Sequence, residues 1–521
     1  MKRLAVTILA LIIAFSWNVR AEAAQAVFTD INKSFAKNDI LSLYNKQVIN
    51  GTGAGLFEPS KTVTRAEFVK MLAGVLGLEQ VHNSIPGFDD VKKSAWFYGW
   101  VYAANNLGLI IGKSEKKFAP NETITREEAA VILARATRQT PVSQTNPFLD
   151  EACVSPWAAE SVNEIIHAGI MGGDGQYFHP GQSLTREEAA AILNRILGKL
   201  RTVPQTSAPI EIGWQYMDST AEFKQHVMES TINVISPRWF FMGKDGALTV
   251  SVEPELVEWA HAKQKKVWAL VGNRSNAEVL HLFLTVYKNS VITQLVNYAS
   301  QYKLDGFNLD FENVDPDDRD LLTAFVKDLG TRLHSAGKVI SIDVPPDSNT
   351  DWSQPFDYAA LSASADYLVL MDYEEHWAGS SVMGSVASLP WFIQGVKQIN
   401  KEISTPSKLI VGMPLFTRDW RIEAGKVLSE DIELPDQEQL LPIFSSLKWD
   451  PSVGQYTAVY TNNHVIHHIW LEDSRSLTLK YVQSLNEKAA GFAYWYTGGA
   501  TADIWAALRN ANRLCGLRFV S

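Results

Sequence analysis

Cysteine is nearly missing from this chain: Cys153 and Cys515 are the only two in 521 residues. They fall in segments of different character, and neither has a partner spacing typical of a metal site, so disulfide stapling and Cys-based metal binding are both excluded as organising plans. An excess of basic residues is missing too. Forty-seven Lys and Arg against 57 Asp and Glu leave a formal charge of −10 and a pI near 5.6. A nucleic acid or an anionic membrane held by general electrostatics would need the opposite sign. Beyond the N-terminus no apolar run approaches the roughly 20 residues that cross a bilayer. Apolar material is plentiful in shorter pieces. With 46% hydrophobic and 11% aromatic residues, and a length too great for one core, the chain reads as two or more globular domains.

The first residues, "MKRLAVTILALIIAFSWNVRAEAAQA", combine basic Lys2 and Arg3, an apolar run from Leu4 to Trp17, and small residues from Ala21 to Ala26. That layout predicts a secretory signal peptide over residues 1–24 and an exported protein with no membrane span in its mature form.

Three segments then align without gaps: "FEPSKTVTRAEF" from Phe57, "FAPNETITREEA" from Phe118 and "FHPGQSLTREEA" from Phe178. Upstream of each lies "FTDI", "FDDV" or "FLDE". Repetition at this period marks one structural unit used three times. Each Thr-x-x-Glu predicts a helix capping box, with Thr64, Thr125 and Thr185 at the start and Glu67, Glu128 and Glu188 reaching back. Arg65, Arg126 and Arg186 sit in the first helical turn, where a cation opposes the helix dipole, and are read as a compact anion site beside free N–H groups. These units resemble S-layer homology repeats, over residues 27–80, 88–142 and 147–198. The resemblance implies an α-helical three-lobed module that binds an anionic secondary cell-wall polymer on a Gram-positive type surface. The three arginines would serve it, together with an aromatic residue near each repeat start: Trp96 and Trp157, with Phe35 where a tryptophan is expected in the first repeat. A linker is predicted at 199–209, "KLRTVPQTSAP".

From Ile210 short apolar runs alternate with helical stretches. "IEIGWQY", "TINVISPRW", "KVWALVG", "LDGFNLDFE", "KVISIDVP", "DYLVLMDY", "KLIVGMP" and "AGFAYWY" are eight candidate strands. Strands separated by helices predict a (β/α)8 barrel over 210–515, and the length of 420–480 predicts a small insertion before the last strand. In "DGFNLDFE" the side-chain period of two puts Phe307, Leu309 and Phe311 on the helix side. Asn308, Asp310 and Glu312 then point into the barrel, with Glu312 at the C-terminal end, where active sites of this fold sit. Buried acids without a role are costly. Asp310 is close enough in spacing to hydrogen-bond toward Glu312 and raise its proton affinity, which would suit Glu312 as an acid. "HVIHHIW" holds His464, His467 and His468, but its branched apolar residues predict a strand that would separate them, so no metal site is assigned.

The stretch "DGFNLDFE", with "LMDYEEHW", "GMPLF" and "AYWY", resembles glycoside hydrolase family 18, and "ASLPW" and "WLEDSRS" are most similar to its bacterial spore and cell-wall N-acetylglucosaminidase branch. That resemblance implies substrate-assisted, retaining hydrolysis without metal or cofactor. Glu312 would protonate the glycosidic oxygen. Asp310 would orient the substrate's N-acetyl group, Tyr373 would hydrogen-bond its carbonyl oxygen, Trp495 would floor the sugar and Met371 would line the pocket. Asn308 and Glu374 occupy positions where the family has aspartates, so the contacts of both are expected to differ. The implied substrate is an N-acetylglucosamine-containing glycan, peptidoglycan first because a wall-anchored enzyme lies within reach of it. Chitin or its oligosaccharides are the alternative, and a non-catalytic glycan-binding barrel is a third reading.

Overall fold

The computed structural model describes residues 27–138, 146–203 and 208–520. The predicted signal peptide and the middle of the predicted linker lie outside them. Two compact units emerge. Among the described residues, one holds 27–77, 119–138, 146–201 and 519–520; the other holds 78–118, 202–203 and 208–518.

In the first unit the helices Arg65–Leu76, Arg126–Thr137 and Arg186–Lys199 each begin with a complete capping box, on Thr64, Thr125 and Thr185. Just before these starts the repeats join in a ring of backbone bonds. Val63 N–H donates to Leu184 O (2.9 Å), Leu184 N–H to Ile124 O (3.0 Å) and Ile124 N–H to Val63 O (3.0 Å), and all three side chains are fully buried. The upstream aspartates explain their own repetition. Asp30 accepts from Phe57 N–H at 2.9 Å and Asp150 from Phe178 N–H at 2.8 Å, fixing each Phe-x-Pro turn, whose middle residues Glu58 and His179 stand at φ 58° and 59°. Local sequence thus sets the turn and the cap, and the ring sets the threefold packing.

In the second unit each of the eight candidate segments contains one strand: β1 Ile210–Gln215, β2 Val234–Met242, β3 Lys266–Gly272, β4 Gly306–Asp310, β5 Val339–Val344, β6 Tyr367–Leu370, β7 Leu409–Pro414 and β8 Gly491–Trp495. Every neighbour pairs in parallel and β8 pairs with β1, so the sheet closes into a (β/α)8 barrel. The outer strand faces pack on the helices in a large core, while Ile212, Trp214, Trp268, Leu270, Val369 and Ile410 fill the interior. Between β7 and β8 runs a five-stranded antiparallel sheet with strands from Phe416–Glu423 to Val465–Leu471. The histidine segment is the last of these strands. His467 turns inward to Asp419 Oδ2 at 2.7 Å, and the metal-like spacing dissolves.

The packing of the second repeat departs from the reading of 88–142 as one lobe. Residues 78–118 join the barrel unit because its helices Ser474–Asn486 and Ala502–Cys515 recognise them in detail. Asn106 Nδ2 donates to Asn83 Oδ1 (2.9 Å) and Ser474 Oγ (3.2 Å), and Asp503 accepts from Ser84 N–H at 3.0 Å. Val81 and Ala103 pack on Ala506 and Ala507. Buried Asn510 meets both backbone groups of Glu79, accepting from its N–H and donating to its carbonyl, each at 2.9 Å. Replacing Asn510 by Ala removes both of these part-buried hydrogen bonds; thermal unfolding of the full chain should show a loss of about 1–3 kcal/mol for the pair. An unchanged melting curve would mean that this contact contributes nothing.

Candidate active site

The alternation along β4 is realised. Phe307, Leu309 and Phe311 are buried among the helices, with Phe311 edge-on to Phe325 at 6.0 Å. On the inner face Asn308 is fully buried and ties four strands together. Its Oδ1 accepts from Trp214 Nε1 (2.7 Å) and Ser236 Oγ (3.3 Å), while its Nδ2 donates to Ser341 Oγ (3.2 Å) and Asp343 Oδ1 (2.6 Å). An amide has both a donor and an acceptor end, which this position uses and a carboxylate would not supply. The carboxyl absent from β4 stands instead on β5, as Asp343. Burial first, then the charge of Asp310, push its carboxyl well above the usual range. Sequence reading missed Asp343, although Ser341 and Asp343 show the same period-two polarity in "KVISIDVP".

Asp310 ends β4, half-buried, with its carboxyl pushed up to about 7 by burial and then by the charge of Glu312, against a downward pull from Arg238. The expected hydrogen bond from Asp310 toward Glu312 is corrected. Glu312 lies past the strand end, next to Asn313 at φ 51°, and its carboxylate accepts from Ser275 Oγ in the turn after β3. Buried Asn273 holds the Glu312 backbone at both ends, accepting its N–H at 3.0 Å and donating to its carbonyl at 2.7 Å. These two partners were legible only as a polar cluster, "GNRSN", following a strand.

Beyond the end of β6, Met371 N–H donates to Val344 O at 2.8 Å, and Tyr373 is buried with its hydroxyl pushed well above the phenol range by desolvation, so it stays a donor. Gly412 on β7 makes room for it: a Cβ there would lie 3.1 Å from Tyr373 Cε1 and 2.8 Å from Leu370 O. Glu312, Met371, Tyr373 and Glu374 line a cavity of about 250 Å³, and half-exposed Trp352 adds an aromatic wall that the motifs did not flag. Glu374, at φ 73°, gives both carboxylate oxygens to Arg418 of the inserted sheet, at 2.9 and 3.0 Å. Trp495 closes β8, with its ring 6.0 Å from Trp214 and 5.2 Å from Tyr216. Glu312, Asp310, Tyr373 and Trp495 thus all stand at the C-terminal end of the barrel, with Glu312 and Tyr373 in one cavity.

The repeat arginines differ from their expectation as open anion ligands at helix starts. Arg65, Arg126 and Arg186 are only 5–6% exposed. Arg126 Nε donates to Phe178 O and Arg186 Nε to Phe57 O, each at 2.7 Å, with the guanidiniums over the same phenyl rings. Arg65 pairs with Glu128 at 3.5 Å and Arg126 with Glu188 at 3.3 Å. Each arginine therefore clamps the next repeat, Arg65 through a carboxylate, Arg186 through carbonyls and Arg126 through both, and these partners satisfy it better than solvent does at its own helix dipole. Phe35, Trp96 and Trp157 are exposed, and Phe35 with Arg126 borders a cavity of about 400 Å³.

Comparison with known proteins agrees with both modules. The S-layer homology domain model matches residues 27–69, 87–130 and 147–190. The uncharacterized glycosylase YvbX of Bacillus subtilis (strain 168) is 24% identical over 324 residues, 59% of this chain and 92% of that protein. The cortical fragment-lytic enzyme of Bacillus anthracis is 27% identical over 228 residues, covering 42% of this chain and 53% of that enzyme, so the match spans about half its length. The crystal structure of a chitinase from Chromobacterium violaceum ATCC 12472 shares the fold with a TM-score of 0.54 at 21% identity, over 58% of this chain and 99% of that one. The model described as glycosyl hydrolases family 18 matches residues 220–500, more than half the length, and with the barrel and its acidic β4 this makes the chain a member of that family, a glycoside hydrolase preceded by three S-layer homology domains.

Proposed function

We propose that the barrel hydrolyses N-acetylglucosaminyl linkages of peptidoglycan by substrate-assisted catalysis. The observation that carries this reading is the shared cavity of Glu312, Met371 and Tyr373, with Asp310 at the adjacent inner position of β4. Glu312 gives its proton to the glycosidic oxygen as the bond to the anomeric carbon breaks. The substrate's own acetamido oxygen attacks that carbon, so no enzyme nucleophile is required, a known exception to the two-carboxylate scheme. Asp310 in its ionised form accepts the amide N–H and turns the acetamido group inward, while the Tyr373 hydroxyl donates to its oxygen. Water then opens the oxazolinium ring, Glu312 takes its proton, and configuration is retained. Trp495 floors the sugar, Met371 fills the pocket, and Asn308 holds Trp214 and Asp343 in register beneath. Glu374, tied to Arg418, reaches substrate as part of an ion pair rather than as a lone carboxylate.

The S-layer homology domains supply attachment to the cell surface, and an anionic secondary cell-wall polymer is the partner we assign to them. Exposed Phe35, Trp96 and Trp157 offer stacking faces, and the Arg65, Arg126 and Arg186 clamps shape the module. An enzyme exported and held there works beside peptidoglycan, and similarity to an enzyme named as lytic for cortical fragments supports a lytic role. Chitin oligosaccharides carry the acetamido group the chemistry needs and are the second reading, supported by the fold shared with a chitinase.

Glu312→Gln should lower turnover by about 10²–10⁴-fold, with folding unchanged. Mass spectrometry of digests of purified peptidoglycan should show fragments ending in reducing N-acetylglucosamine with the native chain and none with the variant. Products from chitin oligosaccharides alone would replace the substrate assignment, and no Glu312-dependent product from either would overturn the hydrolytic reading.

The raised Asp310 carboxyl has a stability signature. Between its ordinary value of 3.8 and about 7 the folded state keeps this proton while the unfolded state has lost it, so native stability falls as pH rises through that window and levels off above it. Asp310→Asn removes the dependence. Its melting temperature relative to the native chain should climb from pH 4 to 7 and stay constant above; a pH-independent difference would refute the shift.

A further inference from the structure

Two guanidiniums on the β2–β3 side of the mouth touch no reacting group in the chemistry above, although the charge of Arg238 draws the Asp310 carboxyl down. Arg238 lies in β2, level with Leu270 of β3, and its charged end sits among three rings, 5.1 Å from the centroid of Tyr216, 5.4 Å from Phe241 and 5.9 Å from Trp495. Its Nε is buried without a hydrogen-bond partner, and among the described residues no carboxylate pairs with the group. A buried donor left open costs stability unless a ligand completes it. Arg274 follows β3 and places its guanidinium 4.2 Å from the centroid of the same Phe241 ring. It stands at φ 53° beside Ser275 at φ 57°, two consecutive non-glycine residues in the left-handed region, and strain of this kind collects at functional sites. The same turn delivers the Ser275 hydroxyl to Glu312, so the position of Arg274 is coupled to that of the acid. By contrast Arg418, at the opposite side of the mouth, is paired with both Glu374 and Asp431.

An anionic strand approaching this mouth meets Glu312 and Asp310 on a chain of net charge −10, so an acidic substrate needs local cations. Guanidiniums stacked on aromatic faces are held in plane and keep their donor edges for a bidentate carboxylate. We propose that Arg238 and Arg274 form an anion subsite for a carboxylate carried by a sugar adjoining the N-acetylglucosaminyl unit on Trp495, which makes acidic amino-sugar strands, rather than neutral ones, the preferred substrate class. This rests on the reading that a sugar lies over Trp495. The carboxylate has two possible sources, a lactyl ether on the sugar or a peptide attached to it.

The test uses the full chain and four oligosaccharides of equal length: neutral β-1,4-linked N-acetylglucosamine, the alternating strand with free lactyl carboxylates, the same strand with those groups amidated, and the strand bearing short peptides. The native chain should favour a carboxylate-bearing strand over the neutral and amidated ones by about tenfold or more in kcat/KM, less at high salt. The preference should collapse in Arg274→Met and Arg238→Met and be only partly retained in Arg238→Lys, which keeps the charge but not the bidentate fork. Which carboxylated strand is preferred identifies the source. Equal losses on all four strands, with the pH profile displaced, would mean that Arg238 only offsets the charge of Asp310 and would overturn the subsite. Failure of the hydrolytic reading is distinguishable. If no strand is cleaved, calorimetric binding by Glu312→Gln decides the subsite alone, an arginine-dependent preference for carboxylated strands sustaining it and equal binding of all four overturning it.

Discussion

The interior of the barrel depends on the carboxamide of Asn308. One side chain binds groups from β1, β2 and β5 while its own strand supplies the acid above it. A buried amide with donors and acceptors all engaged is a strong geometric constraint, since moving any partner leaves a polar group unpaired in a low-dielectric core. Trp214 is fixed in this way beneath Trp495, and Asp343 is held where it senses the charge of Asp310. Asp310 therefore titrates in surroundings set from several strands, not by its neighbour in sequence alone.

Around that centre the mouth is built by ion pairing and loop strain. Glu374, on the strand end nearest the inserted sheet, is locked to Arg418, so the insertion is coupled to the rim of the pocket through a bidentate pair. On the other side the turn after β3 holds Glu312 from its backbone through Asn273 and from its side chain through Ser275. In the role proposed for Glu312, giving and then taking a proton, a fixed backbone and a single hydroxyl partner are an advantage, because neither state is frozen by a permanent countercharge.

The repeat module reaches order by a different route. Its three Thr-Arg-x-Glu motifs each serve two purposes, the threonine and glutamate capping their own helix and the arginine binding another repeat. The closed ring through Val63, Leu184 and Ile124 needs all three copies, since each supplies one donor and one acceptor. In this structure the arginine of the first helical turn binds another repeat, while Phe35, Trp96 and Trp157 stay exposed.

Much of this protein was legible locally. Eight apolar segments, the capping boxes and the inward face of β4 all follow from side-chain period, capping chemistry and motif, which are properties of short stretches. Asp343, Asn273, Ser275, Arg238 and Arg418 were not, because each matters through a partner tens to more than a hundred residues away. The sequence likewise marked 88–118 as part of the second repeat, and only the packing of Asn83, Asn106 and Glu79 against the barrel helices assigned residues 78–118 to the barrel unit. By itself, then, the sequence determined which elements form and which chemistry they carry. The tertiary structure alone decided which charges meet, which are buried, and which cations keep an open face, because electrostatics and desolvation depend on distance in space and not along the chain.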